Sequence, residues 1–565
     1  MNTPSPHAAN QAGIDDLTTG FIPRPAHQTS AYATLYDAYP LSDIAYAQGQ
    51  RNPENLAIID GERRISYRTL CHAADQFAQH LITTGTTSGD RILLHLPNSA
   101  ATLTAFLGCL RAGAVPIMAI PAHGLRELTH FITTGTPTQL YTDTSLLSQT
   151  DITSLTATNC RVHETTVDLC NNLLDEASHN TQPVLTHADA HAAGHLVAPV
   201  PDPSLPALML VSGGTTGLPK LIARTHQDYR LNAALAAAAT KLQPGDVYLA
   251  VLPLSHNFPL SSPGALGIFQ VGGTIVCTTN PSPEACFPLI DTHQVTITSL
   301  VPALAQLWTA ATAWEKADLT SLRTLQVGGA RLAPETARSI DTAFNHSLQQ
   351  VFGMAEGLLC FTDPEDPDRE RVCTTQGAPM CGHDEIRVVD NHNHDVPCGE
   401  DGELLTRGPY TIAGYYRAAE HNRHAFTADG YYRTGDRVHR TEDGYLVVSG
   451  RFKDVIIRAG ENVTCSEVED VLLSHPAIYD VGLVGLPDDL LGERIVAAVV
   501  PSQGHTPTLA ELRGFVIDAG LAAFKAPDAL VLRSHLPTTS VGKLDRKKLR
   551  ELLSEDAASV TESEQ

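Results

Sequence analysis

Short β-branched apolar runs alternate along the chain with longer Ala/Leu-rich runs whose apolar positions recur every three or four residues. Ile92-Leu93-Leu94 reads as a buried strand, ATLTAFLGCLRAG as a helix closed by Gly113, and Val115-Pro116-Ile117-Met118 as the next strand. Alternation of this kind predicts an α/β fold built of parallel sheets layered with helices. The pattern changes at TEDGYLVVSGRFKDVIIRAGENV, a succession of short strands and turns with Asp443-Gly444 and Ser449-Gly450 as the turns. Beyond it the chain reads as a helix (SEVEDVLLSHP), two strands (DVGLVGLP and RIVAAVV), a second helix (LAELRGFVIDAG) and a basic end. That is a separate α+β domain of ordinary size. The pattern divides the chain into a loose polar tail over 1–20, a large N-terminal domain over 21–451, a small C-terminal domain over 452–553 and an acidic, fraying end over 554–565.

Composition narrows the function classes. With 38 Lys and Arg against 62 Asp and Glu, the formal charge of −24 over 565 residues disfavours general binding to nucleic acid or anionic lipid. A local cationic groove for a phosphate is still compatible with it. The 11 cysteines contain no CxxC, so neither a zinc site nor a disulfide framework is expected. Thiols in a reducing compartment are. The start carries no basic n-region or apolar h-region, and Arg111, Gly113 and Pro116 break the most apolar stretch, 101–122. A cytoplasmic protein without a membrane span is the expectation.

The chemistry concentrates in five segments. In Val211-Ser-Gly-Gly-Thr-Thr-Gly-Leu-Pro-Lys220 an apolar strand runs into a loop of hydroxyls and glycines. Glycines let backbone N–H groups approach an anion, hydroxyls add donors and Lys220 adds a charge, so the loop can cradle phosphates. No Gly-Lys-Ser/Thr follows, which excludes a Walker A loop. In Val351-Phe-Gly-Met-Ala-Glu-Gly, Glu356 could reach a hard cation such as Mg²⁺, or be a solvated carboxylate. Tyr431-Tyr-Arg-Thr-Gly-Asp436 reads as a turn presenting Asp436, which could accept from a sugar diol or be a plain turn aspartate. Gly450-Arg-Phe-Lys-Asp454 puts two cations at the domain junction, and Thr538-Thr-Ser-Val-Gly-Lys543 is a polar loop with one lysine.

In this order, and over most of the chain, these segments resemble the adenylate-forming superfamily of acyl-CoA synthetases, luciferases and peptide-synthetase adenylation domains. The resemblance implies a large N-terminal domain, a small mobile C-terminal lid and ATP-dependent activation of a carboxylate. It implies that Ser212, Gly213, Gly214, Thr215, Thr216, Gly217 and Lys220 hold the β/γ-phosphates. Gly329, Ala330, Phe352 and Gly353 would flank the adenine, and Asp436 would hold the ribose hydroxyls. Arg451 would contact ribose or phosphate, and Lys453 would be the hinge. Glu356 would bind Mg²⁺, with Thr216 as a candidate second ligand. Lys543 would bridge the attacking carboxylate and the α-phosphate, with His256 beside it.

The segment Leu252-Pro-Leu-Ser-His256-Asn257-Phe258-Pro-Leu-Ser-Ser262-Pro-Gly264 bears on the acid. Adenylation domains for α-amino acids usually place Asp where this chain has Asn257. A neutral amide cannot balance a buried ammonium but can hydrogen-bond a hydroxyl. His256-Asn257 also reads simply as a helix N-cap. HNFPLSSPG, SGGTTGLPKLIARTH, QVGGARL and QVFGMAEGLL are similar to the stand-alone aryl-acid–AMP ligases of siderophore and related peptide pathways. That resemblance implies 2,3-dihydroxybenzoate or salicylate as substrate, with transfer to the phosphopantetheine thiol of an aryl carrier protein. Phe258, Gly329 and Leu359 would join His256, Asn257 and Ser262 around the ring. Ser262 leans towards dihydroxybenzoate and Leu359 towards salicylate. A hydroxypicolinate-type acid, coenzyme A as acceptor, or a catalytically silent nucleotide-binding homologue are the alternatives.

Overall fold

The computed structural model describes residues 15–195, 198–212, 219–451, 455–458, 461–488, 491–539 and 542–562. Two large sheets form the core of the N-terminal domain. In the nine-stranded sheet six strands run parallel, in the order Leu348–Gly353, Thr324–Gly328, Ile297–Leu300, Val247–Ala250, Thr274–Cys277 and Leu56–Asp60. Antiparallel strands close both edges. The six-stranded sheet is parallel from Arg161–His163 to Pro206–Val211, and Leu221–Thr225 pairs antiparallel at its end.

Helices cover both sheets for local reasons. Tyr67–Thr83 starts at Ser66, whose hydroxyl accepts from Thr69 N, and it buries Leu70, Ala74, Phe77 and Leu81 along one stripe. Ala100–Arg111 packs against it with every residue buried. Their close approach needs Gly108, because a Cβ there would lie 2.7 Å from the Phe77 ring. Buried Arg111 is neutralised by Asp75 at 2.7 Å and stacks on Tyr46.

A four-stranded antiparallel sheet (Glu385–Val389, Gly402–Arg407, Tyr432–Arg440, Leu446–Arg451) leads to the small domain. There five strands carry the helices Cys465–Leu473, Leu509–Asp518 and Arg546–Glu562. The α/β class and the large-plus-small organisation are as expected.

Four local expectations differ. Residues 15–20 are helical and docked rather than loose: Leu17 is buried among Val115, Ile117 and Phe131, and Asp16 pairs with Arg91 and Arg417. One apolar residue in a polar stretch gives too little periodicity to announce a helix. At the other end the helix runs on to Glu562, because Leu549 and Leu553 anchor its first turns and the Ala-containing sequence beyond sustains it. The strand Leu446–Arg451 continues through Ser449-Gly450 with a bulge at Ser449, and Gly450 pairs with Arg437. Asp436 sits inside the strand Tyr432–Arg440 rather than on a turn, although Gly435 has a positive φ of 71°. Long cross-strand pairing overrides the turn propensity of these glycines.

Candidate active site

The candidate site gathers where the parallel strands of the nine-stranded sheet end. The strand Val247–Ala250 leads to His256, Ile297–Leu300 to Val301, Thr324–Gly328 to Gly329, and Leu348–Gly353 to Glu356. Ligands of parallel α/β sheets bind at such carboxyl ends because the loops there are free to diverge. Gly328 and Val351 are register partners, so Gly329-Ala330 and Phe352 leave neighbouring strands side by side. Gly353 is required for space: a Cβ would lie 2.3 Å from Leu359 Cδ2.

Ser212 and Lys220 close the base of the glycine-rich loop. Ser212 N donates to Lys220 O at 2.9 Å, and Lys220 N donates to Ser212 Oγ at 2.9 Å. Gly213, Gly214, Thr215, Thr216 and Gly217 lie outside the described residues, as does Lys453. The Lys220 ammonium lies 5.8 Å from the Tyr415 ring centroid. The Tyr415 hydroxyl donates to Glu356 Oε1 at 2.6 Å and lies 2.9 Å from the Tyr432 hydroxyl. This links the loop base to Glu356, and burial together with the Glu356 charge pushes the Tyr415 pKa up. One carboxylate oxygen is thereby oriented.

Asp436 and Arg451 face each other across antiparallel strands, and Arg451 Nε donates to Asp436 Oδ1 at 2.8 Å. Burial raises the Asp436 pKa, opposed by the Arg451 guanidinium and by Lys543. Lys543 comes from the small domain and enters this group. A Cβ on Gly329 would lie 3.7 Å from its Cε, and Gly542 sits against Val301. Burial and the Arg451 charge lower the Lys543 pKa to about 8, while Asp436 and Glu356 oppose the shift.

His256 is the N-cap of the short helix Asn257–Ser261, its Nδ1 accepting from Phe258 N at 3.2 Å. The N-cap reading is as expected. Burial and the Lys543 charge lower its pKa to about 3, so the ring is neutral with its proton on Nε2. Asn257 is buried beside it, and its Oδ1 accepts from the Tyr229 hydroxyl at 2.9 Å. Phe258 and Leu359 lie in one apolar cluster with Ala236, Val351 and Phe361. The Ser262 hydroxyl is buried with no partner. Sequence reasoning missed Tyr415, Tyr432, Tyr229 and Asn98. Asn98 clamps the approach to His256: Nδ2 donates to the Ala250 and Leu252 carbonyls at 3.1 and 2.8 Å, and Oδ1 accepts from Leu254 N at 2.7 Å. Tyr432 lies inside the Tyr431–Asp436 segment without having been singled out, and the other three lie outside the chemistry-bearing segments.

Residues 45–416 match the model of the AMP-binding enzyme family, and residues 467–543 match its C-terminal domain. The chain belongs to the AMP-binding enzyme family. Its chemistry is that of an acid–AMP ligase. It is 46% identical to the salicyl-AMP ligase / salicyl-S-ArCP synthetase of Mycobacterium tuberculosis, over 94% of this chain and 94% of that one. It is 42% identical to the 2,3-dihydroxybenzoate-AMP ligase of Bacillus subtilis, over 95% of this chain and 98% of that one. The apo structure of MbtA from Mycobacterium smegmatis superposes with a TM-score of 0.70 at 44% identity, covering 95% of this chain and 99% of that one.

The bridging role that the resemblance implies for Lys543 requires the cation. kcat/KM reports the free enzyme, so for adenylation it is expected to fall about tenfold per pH unit above the Lys543 pKa, which lies at about 8. Bound anions raise that pKa, so the same limb in kcat moves to higher pH. A pH profile of pyrophosphate exchange checks this. The residual activity of Lys543→Ala should lack the limb.

Proposed function

We propose that the protein activates a hydroxyaryl carboxylic acid, 2,3-dihydroxybenzoate or salicylate, with ATP and Mg²⁺. It then passes the aryl group to the phosphopantetheine thiol of an aryl carrier protein. A carboxylate oxygen forms a bond to the α-phosphorus as the bond to pyrophosphate breaks. Lys543 holds the two anions together, and Ser212 and Lys220 anchor the loop that takes the departing phosphates. Asp436 accepts from the ribose hydroxyls, and Gly329, Ala330, Phe352 and Gly353 flank the adenine.

Among the described residues no group of three or more His, Cys, Asp and Glu could hold a metal. The donor set fits Mg²⁺ as this ion is held beside nucleotides, by one carboxylate together with phosphate oxygens. Glu356 is that carboxylate, oriented by Tyr415. When bound, the ion offsets charge on the phosphates.

The observation that carries the aryl acid is a pair of buried polar groups at the two ends of the short helix Asn257–Ser261, whose Phe258 joins an apolar cluster with Leu359. An amide, Asn257, stands where an α-amino acid would need a carboxylate, and the Ser262 hydroxyl has no partner. Both suit ring hydroxyls, and the names of the relatives at 46% and 42% identity agree with them. Cytoplasmic placement is supported by the free cysteine thiols, ten of them buried.

ATP–pyrophosphate exchange across hydroxybenzoates, benzoate and α-amino acids tests the reading. Ser262 favours the second hydroxyl and Leu359 crowds it, so both hydroxybenzoates should be used within roughly a hundredfold of each other, dihydroxybenzoate ahead. Benzoate or an amino acid outperforming both overturns the assignment. Thioester formation with a phosphopantetheinylated carrier, compared with free coenzyme A, decides the acceptor.

A further inference from the structure

Asn257 has a fixed polarity, and the residues that fix it lie outside the pocket. Tyr229, on the helix His226–Ala239, is fully buried, and its hydroxyl donates to Asn257 Oδ1 at 2.9 Å. Its ring lies 4.8 Å under the Arg224 guanidinium. Arg224 is itself held by Asp228 Oδ1 at 2.9 Å and by the carbonyls of Ala355 and Tyr410 at 2.8 and 2.9 Å. The phenol therefore has a fixed position.

Its direction of donation is fixed as well. Asn232 Nδ2 donates to the carbonyl and the hydroxyl oxygen of Ser261, at 2.7 and 3.0 Å. Burial raises the Tyr229 pKa, and Ser261 opposes that rise. The hydrogen bond the phenol donates goes to Asn257 Oδ1. Turning the Asn257 amide over would set its –NH₂ against the phenol and leave the phenol proton without that acceptor.

We propose that Tyr229 is a specificity-determining positioning residue: it holds the Asn257 oxygen and so leaves the amide –NH₂ for the substrate. This rests on Asn257 reading the position ortho to the carboxylate. An ortho group that accepts a hydrogen bond is then selected. A phenolic hydroxyl does so while giving its own proton to the adjacent carboxylate, and a ring nitrogen does so through its lone pair. An ortho amine is rejected, because its lone pair is delocalised into the ring and its hydrogens meet the amide's own.

The test is Tyr229→Phe, which removes one oxygen and keeps the ring under Arg224. Pyrophosphate exchange is measured with salicylate, anthranilate and benzoate, beside Asn257→Ala and with thermal melting as the control for folding. The native enzyme should prefer salicylate over anthranilate by roughly a hundredfold, and Tyr229→Phe should compress that ratio by about tenfold or more. Benzoate has no ortho group to be read and should change no more than about twofold, which separates loss of positioning from general damage. An unchanged salicylate-to-anthranilate ratio in Tyr229→Phe, with Asn257→Ala collapsing it, overturns the role of Tyr229 alone. A ratio unchanged in both variants overturns the reading of Asn257 together with it.

Discussion

Lys543→Ala is expected to slow formation of the aryl-adenylate by about two to three orders of magnitude, the range found when one preorganised donor to a transition-state oxyanion is removed. The expectation follows from where the small domain delivers this side chain. It stands beside Gly329 at the ends of the parallel strands, within the fields of Glu356, Asp436 and Arg451. On the proposed function two anions must meet there, and Lys220 is engaged elsewhere, over the Tyr415 ring. Transfer of the aryl group from pre-formed adenylate to a carrier thiol should be nearly intact, since the phosphate chemistry is over by then. Single-turnover measurement of each half-reaction decides. Equal losses in both, with the fold preserved, would mean that Lys543 supports the structure rather than the first step.

The large features of the molecule are legible in its sequence. The strand–helix–strand unit from Arg91 to Ala119 lies where hydrophobic periodicity places it, as does the strand that enters the glycine-rich loop. Local pattern suffices there because burial on both faces of a parallel sheet leaves continuous apolar runs. The proximity of the motif residues is a different matter: Glu356, Asp436 and Lys543, distant in sequence, act on one another's charges in the folded protein. Partnerships are what the chain conceals. Tyr229 meets Asn257 across 28 positions, Tyr415 meets Glu356 across 59, and Asp436 owes its place to a register with Arg451 that no turn rule predicts. Each is a polar contact closed only after the sheets assemble, so it leaves no periodic trace. The docked helix at 15–20 is concealed likewise, since Leu17 and Asp16 find their partners only in the folded protein.

Reversing one charge in the contact between the two domains should weaken adenylation almost as much as removing Lys543. Arg331 leaves the loop that follows Gly329-Ala330 and pairs with Asp470 on the small-domain helix Cys465–Leu473; its Nε also donates to the Val448 carbonyl. Neighbouring bonds tie the same seam: Ser466 donates to the Ser449 carbonyl, and Arg437 donates to Thr464 Oγ1 at 3.0 Å. The ion pair is only a quarter or less exposed, so breaking it strands a poorly solvated charge on each side. Arg331→Asp sets two carboxylates against each other and should cut aryl-adenylate formation by about 30- to 100-fold, as expected for a group misplaced by an ångström or more. Asp470→Arg should do the same, and the charge-swapped double variant should recover most of the loss. The decisive comparison is with Lys543→Ala. If the pair acts by holding Lys543 beside Gly329, then Arg331→Asp adds little once Lys543 is gone, and the cycle is strongly non-additive. Full additivity would assign the loss to the nucleotide-flanking loop itself. Transfer from pre-formed adenylate separates the two again, because a contact that serves only the first step should leave the second at its native rate.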